Sequence, residues 1–206
     1  MKKYELTDET KVIDDVTLRR IRAVRDIPEH AIKSGDLGGW LETAENLSHD
    51  GAAWVMDSAY VMGKARVTDS ARVMGKALVT DFARVMGKAR VTGKARVMGK
   101  ALVTDFARVM GKARVADSAR VMGKARVMDA SDYITIGAIG SRDDTTTFYR
   151  GTDGGIYVSC GCFSGSIDDF AAKVKAVHAG TKHEKTYLLA IELAKVQMNV
   201  ESEVNK

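Results

Sequence analysis

The sequence predicts a mainly β molecule. A parallel β-solenoid spans residues 51–132, flanked by a β-rich N-terminal cap over 1–50 and an α+β C-terminal domain over 133–206. Three observations predict it. Thirteen valines recur at every sixth position from Val55 to Val127, each preceded two residues earlier by alanine, and a strict period of this length is the signature of a solenoid. Two residues after each of these valines stands only Gly or Asp, types that tolerate the left-handed backbone of a tight corner. Outside this block the period stops, and the flanks read as alternating strands followed by amphipathic helices.

The N-terminal segment opens with two β-like runs, Lys11-Val12-Ile13 and Thr17 to Val24, separated by Asp14-Asp15, the pattern of a hairpin. Next come Gly35-Asp36-Leu37-Gly38-Gly39-Trp40-Leu41-Glu42, Glu45-Asn46-Leu47-Ser48-His49-Asp50-Gly51 and Ala53-Trp54-Val55. A solenoid end exposes unpaired strand edges and needs a cover. Trp40 and Trp54 are therefore expected in cap packing, and His49 in a turn.

In the repeat, units such as Ala65-Arg66-Val67-Thr68-Asp69-Ser70 place small and β-branched residues at alternate positions. That fits a short strand with alanine and valine inward and arginine outward. Three strand-plus-corner units close a triangular coil of 18 residues, so the valines stack in columns about 4.8 Å apart. The repeat then makes roughly four coils on that spacing.

This pattern resembles the left-handed parallel β-helix of the hexapeptide-repeat proteins, so the resemblance implies a left-handed coil. The family's acyltransferases and carbonic anhydrases need histidines on the coils, whereas His30, His49, His178 and His183 all lie outside residues 53–127. A hexapeptide-type acyltransferase is thus the third reading of function, and the expectation is that the chain is not an enzyme. The Gly35–Glu42 and Glu45–Gly51 strings are similar to the openings of repeat proteins of bacteriophages and prophages. That resemblance implies a phage-borne protein and carries no chemistry.

The formal net charge is +5. Between Gly51 and Ala130 stand sixteen Lys and Arg against six Asp and no Glu, a local +10, so the flanks together carry −5. Folded at 18 residues per coil, one outward column reads Trp54, Arg72, Arg90, Arg108, Arg126, and its corner reads Ser58, Lys76, Lys94, Lys112. Stacked like charges repel one another, and an anion would relieve them. This basic edge is the expected anion-binding surface of the rod, unless its cations only keep the rod in solution. Val73–Val91 is identical to Val97–Val115, displaced by 24 residues. Such a shift is one and one-third coils, so Leu78 with Phe82 and Leu102 with Phe106 should fall on different faces. A rod that accepts this rotation reads as a spacer or scaffold.

Beyond Ala130, strands are expected at Tyr133–Ile139, Thr145–Arg150 and Ile156–Cys162, with a turn at Thr152–Gly155. Ser166 should cap a helix carrying Phe170, Val174 and Val177 on one face and ending at Gly180. A second helix should carry Tyr187, Ile191, Ala194 and Met198. Gly140, Ser141 and Arg142, followed by Thr145, Thr147 and Arg150, place glycine, hydroxyls and two arginines around one loop. Backbone amides and arginine forks suit phosphate, and these six are the candidate ligand-binding residues. Cys160 and Cys162, one residue apart on a strand, would face the same side, and His178 with His183 would complete four zinc ligands. The usual zinc knuckle separates its cysteines by two or more residues, so structural thiols are expected and no metal. His178 also stands near a helix end, where a cation meets the dipole favourably.

Two cysteines in 206 residues make no disulfide framework. No apolar run is long enough to span a membrane, and the first residues lack the apolar core of a signal peptide. A cytoplasmic protein that uses no cofactor is the expectation. Two function classes follow: a binding protein for an anionic small molecule or nucleic acid, acting through the C-terminal domain and the basic edge, or an assembly scaffold with a protein partner or as a homo-oligomer.

Overall fold

A computed structural model describes residues 2–199. The N-terminal hairpin pairs β1 (Tyr4–Ile13) with β2 (Val16–Ala23) across the Asp14-Asp15 turn, where both residues have positive φ. β2 then pairs antiparallel with β3 (Leu37–Leu41). Thirteen two-residue strands follow, β4 (Trp54–Val55) through β16 (Arg126–Val127), at six-residue intervals.

Pairing is parallel at a spacing of 18 residues. Trp54, Arg72, Arg90, Arg108 and Arg126 form one ladder, and Val55, Val73, Val91, Val109 and Val127 run beside them. Three faces result, with five strands on this one and four on that of Arg66, Arg84, Leu102 and Arg120. The third face joins β3, Tyr60–Val61, Leu78–Val79, Arg96–Val97 and Arg114–Val115, and β1 and β2 extend it. The parallel ladder thus starts upstream of Ala53: Trp40 pairs with Tyr60, and Leu47 bridges Val67. The Gly35–Gly51 strings lay the first coil as well as covering it. Every column valine and its alanine is fully buried, and burial of one such valine contributes about 1.5–3 kcal/mol.

Corners supply a feature beyond conformational tolerance. Asp57, Asp69, Asp81 and Asp105 have φ between 55° and 61°. Their carboxylates accept the amides of Gly75, Gly87, Gly99 and Gly123, one coil onward, at 3.0, 2.8, 2.8 and 2.9 Å. The coils nearly touch at the corners: a Cβ on Gly87 would lie 2.8 Å from the amide nitrogen of Asp105, one coil onward.

The cap packs as expected. Tyr4 stacks on His49, meets Trp54 edge-on, and donates its hydroxyl proton to the carbonyls of Ala44 and Leu47. Trp54 is fully buried, whereas half-buried Trp40 lies under the cations of Lys11 and Arg20. Gly38 and Gly39 permit the close approach of β3, since a Cβ at either would fall within 2.7 Å of a backbone oxygen or of the Val55 side chain.

The other end is closed by an antiparallel sheet of β17 (Tyr133–Ile139), β18 (Asp144–Arg150), β19 (Ile156–Cys160) and β20 (Phe163–Ser166). Alternation along β18 divides its side chains between two cores. Tyr149 joins the solenoid core, whereas Phe148 joins Phe170, Val174, Tyr187 and Ile191 of the helices. The solenoid amide of Arg120 donates to Thr147 Oγ1 at 3.0 Å, and Ala125 bridges Gly151. Helix α1 (Ile167–His178) is capped by Ser166, and α2 (Lys182–Gln197) by Thr181. Among the described residues no helix is long and apolar enough to cross a membrane.

Two expectations need correction. The strand expected over Ile156–Cys162 ends at Cys160, because Gly161, at φ 57°, turns the chain with Cys162 into β20. The fourth strand, β20, went unforeseen because its sequence, Phe-Ser-Gly-Ser, carries a glycine and little β-branched content.

Candidate functional site

The β17–β18 hairpin turns through Gly140, Ser141, Arg142 and Asp143, with φ of 79° at Gly140 and 46° at Asp143. Gly140 sits against the Tyr187 ring, where no Cβ would fit. This contact fixes the hairpin tip over the helices. The tip, the β19–β20 turn and one face of α1 enclose a cleft of about 210 Å³ lined by Ser141, Arg142, Asp144, Cys160, Gly161, Cys162, Phe163, Phe170, Lys173, Val174, Val177, His178 and Tyr187. Phe163, Phe170 and Val174 make an apolar floor. Arg142 and Lys173 are exposed cations that, among the described residues, take part in no ion pair.

Thr146 donates to Cys160 Sγ at 3.2 Å, and the Cys160 thiol lies 3.7 Å from the Tyr187 hydroxyl. Burial, then the Cys160 contact, push the Tyr187 hydroxyl up to about 12, so it stays protonated at neutral pH. The His178 ring lies 5.7 Å from that of Tyr187 and 5.9 Å from that of His183. Arg120 of the last coil donates through Nη1 to the Gly161 carbonyl at 3.0 Å, tying one wall of the cleft to the rod.

The six candidate ligand-binding residues do not share one place. Ser141 and Arg142 line the cleft, Gly140 shapes its edge, and Thr145 is half-buried at the start of β18. Thr147 is fully buried and faces the rod. Arg150 stands at the far end of β18, about 20 Å along the strand from the hairpin tip at the usual rise. There it pairs with Asp132 at 3.3 Å and donates to the carbonyls of Gly154 and Met198. Its role is to hold the chain after α2 against the sheet, and linear spacing could not reveal this, because its partners lie up to 48 residues away.

Sequence reading missed Lys173 and Phe163, brought in by α1 and the unforeseen strand. The helical spacing of Phe170, Lys173 and Val177 carried the only signal for that wall. Cys160, Cys162 and His178 reach the cleft, but the four weak zinc candidates do not converge. Cys160 ends a strand, Cys162 sits exposed in the turn, and His183 lies off the cleft. Among the described residues no group of three or more His, Cys, Asp or Glu is placed to hold a metal ion.

The basic edge stands in the expected register, with Arg72, Arg90, Arg108 and Arg126 on consecutive strands. Lys76, Lys94 and Lys112 are exposed at its corner. Among the described residues none of the seven is in an ion pair. Partial desolvation and then the guanidinium groups of Arg72 and Arg108 hold Arg90 below its ordinary value. Near the cap, Arg72, Arg90 and Lys88 join Glu29, His30 and Ser70 around a cleft of about 330 Å³. Burial, and then the nearby Arg72 charge, lower the pKa of the His30 imidazole.

The chain matches no family model and no curated protein.

Proposed function

We propose that the chain is a non-enzymatic, phage-borne binding protein for a compact anionic ligand, and that the C-terminal cleft is the binding site. The observation that carries this reading is the meeting of two exposed cations, Arg142 and Lys173, which take part in no ion pair among the described residues, with an aromatic floor of Phe163 and Phe170 in one concave place. An anionic head would take the guanidinium and ammonium, and a flat apolar body would lie on the rings. About 210 Å³ is below the 300–1,000 Å³ of ordinary small-molecule pockets, so the ligand class is a mononucleotide or smaller, or one nucleotide of a strand. The basic edge adds long-range attraction that salt screens. The phage origin rests on the Gly35–Glu42 and Glu45–Gly51 strings.

Calorimetric titration with nucleoside monophosphates at low and high salt tests this reading. Arg142→Ala should weaken binding at both salt concentrations, and replacing Arg90 and Arg108 by Gln should weaken it at low salt alone. An absence of binding at low ionic strength would return the assembly reading to first place. That second reading is favoured by one observation of its own: Leu189, Leu193 and Val196 of α2 are 72%, 49% and 74% exposed at helical spacing. Such a stripe suits a protein partner or a second copy, and light scattering on the wild type and Leu189→Ser would show it.

A further inference from the structure

Two of the three corner columns alternate strictly between glycine and aspartate, as in Gly51, Asp69, Gly87, Asp105, Gly123 and in Gly63, Asp81, Gly99, Asp117. The third reads Asp57, Gly75, Gly93, Gly111, Asp129, with glycine at 93 where the alternation demands aspartate. The units show the same change locally. Thr68, Thr80 and Thr104 are each followed by Asp and then Ser or Phe, whereas Thr92 is followed by Gly93 and Lys94. One unit has therefore lost an acid and gained a base at the corner beside the arginine ladder.

Backbone chemistry follows from this change. Elsewhere a corner carboxylate accepts the glycine amide one coil onward, at 2.8–3.0 Å. Gly93 has no carboxylate to offer Gly111, and Gly75 has none to offer Gly93. Among the described residues neither amide has an acceptor. The amides of Asp69, Asp81, Asp105 and Asp117 likewise have none, but each stands beside its own residue's carboxylate, which repels an arriving anion. Gly93 and Gly111 are exposed, and so are Lys76, Lys94 and Lys112. A Cβ placed on Gly93 would lie 3.0 Å from the Gly111 amide nitrogen, and one on Gly75 would lie 3.1 Å from that of Gly93. At the aspartate corners this close position beside the next coil's amide is the one the side chain takes.

We propose that this corner docks an acidic peptide segment of a partner protein, whose carboxylates accept the backbone N–H groups of Gly93 and Gly111 between Lys76, Lys94 and Lys112. The rod itself identifies the group, since a carboxylate on a short stem fills the equivalent position at four other corners. Successive amides stand one rung apart, about 4.8 Å, a separation that neighbouring flexible acidic side chains can span. The site rests on the solenoid alone and is independent of the C-terminal cleft.

Titration of the isotopically labelled protein with a hexa-aspartate peptide, in the wild type and in Arg142→Ala, tests the proposal while leaving the cleft aside. The amide protons of Gly93 and Gly111 should move downfield in both proteins, as expected for new charge-assisted hydrogen bonds. Gly93→Asn restores the alternation with a neutral acceptor, tolerates positive φ and leaves the net charge unchanged. It should keep or raise the melting temperature and lower hexa-aspartate affinity about tenfold, the value of one hydrogen bond to a charged group. Gly93→Asp should lower it further. Three results would each overturn the proposal: wild-type peptide affinity in Gly93→Asn, no shift at either glycine in the wild type, or tighter binding of a decathymidylate than of the peptide at this corner.

Discussion

Lys3 is fully buried at the solenoid's capped end, where its ammonium donates to the Gly51 carbonyl at 3.4 Å and its amide to His49 Nδ1 at 3.2 Å. Burial, and then the nearby Arg25 charge, lower its pKa from 10.5 to about 8. Between pH 8 and 10.5 the unfolded chain therefore binds more protons at this residue than the folded chain does, so stability rises with pH across that window and is flat below it. Tyr4, pushed up to about 12 by burial, acts oppositely above pH 10. The rise should accordingly be read between pH 8 and 10, as the difference in melting temperature between the wild type and Lys3→Met. Lys3→Met should be the more stable protein at pH 7, with the advantage shrinking toward pH 10; an advantage constant with pH would contradict the buried-ammonium account. In the core, Val91 is fully buried between Val73 and Val109. Val91→Asp should cost several kcal/mol, measured by chemical denaturation. The core was legible residue by residue, because burial there follows the period. The site was legible only in part: Arg142 and Cys160 announced themselves by type, whereas Lys173 looked like any helix-surface lysine and Arg150 like a twin of Arg142.

At the scale of elements, corner chemistry is the main gain over the sequence. Gly and Asp were identified as corner residues for their backbone tolerance, but the bond from carboxylate to the next coil's amide needs the 18-residue stacking before it can be seen. Asp81→Gly keeps the corner conformation and loses the bond to Gly99, while Asp81→Ala also places a less tolerant residue at φ 61°. Stability by thermal denaturation should therefore run wild type above Gly above Ala, with Ala about 1–2 kcal/mol below wild type. A wild-type melting temperature in Asp81→Ala would show that the corner bond contributes nothing. The internal copy has the foreseen effect, since Leu78 pairs with Arg96 on one face and Leu102 with Arg84 and Arg120 on another. The rings it carries stay 54% and 60% exposed, and each meets the lysine one coil back: Lys64 lies 5.3 Å from the Phe82 ring centre and Lys88 5.4 Å from that of Phe106. Each cationic stem thus lies over part of an apolar ring.

In the whole molecule, a rod whose coils contact only their neighbours joins two different end pieces. Deleting Val73 through Arg90 removes one coil and should leave a folded protein with its end pieces in register. Deleting twelve residues instead turns the C-terminal domain by a third of a turn relative to the cap. Both variants should fold, as judged by cooperative melting, and both should retain ligand in the C-terminal cleft, because the cleft is built within 140–187 and touches the rod through Arg120. Loss of binding in the twelve-residue deletion alone would mean that the two ends act on one partner together. The architecture was legible from one period and its corner residues. The cleft was not, because its walls come from four separate segments that only the sheet and helices bring together. Amide chemical-shift mapping during titration with a nucleoside monophosphate tests the proposal that these segments form one anion-binding site. Saturable shifts should cluster at Ser141–Asp144, Gly161–Phe163 and Lys173–His178, with the Arg150 amide unmoved. Shifts confined to the arginine ladder, or none at all at low salt, would contradict it.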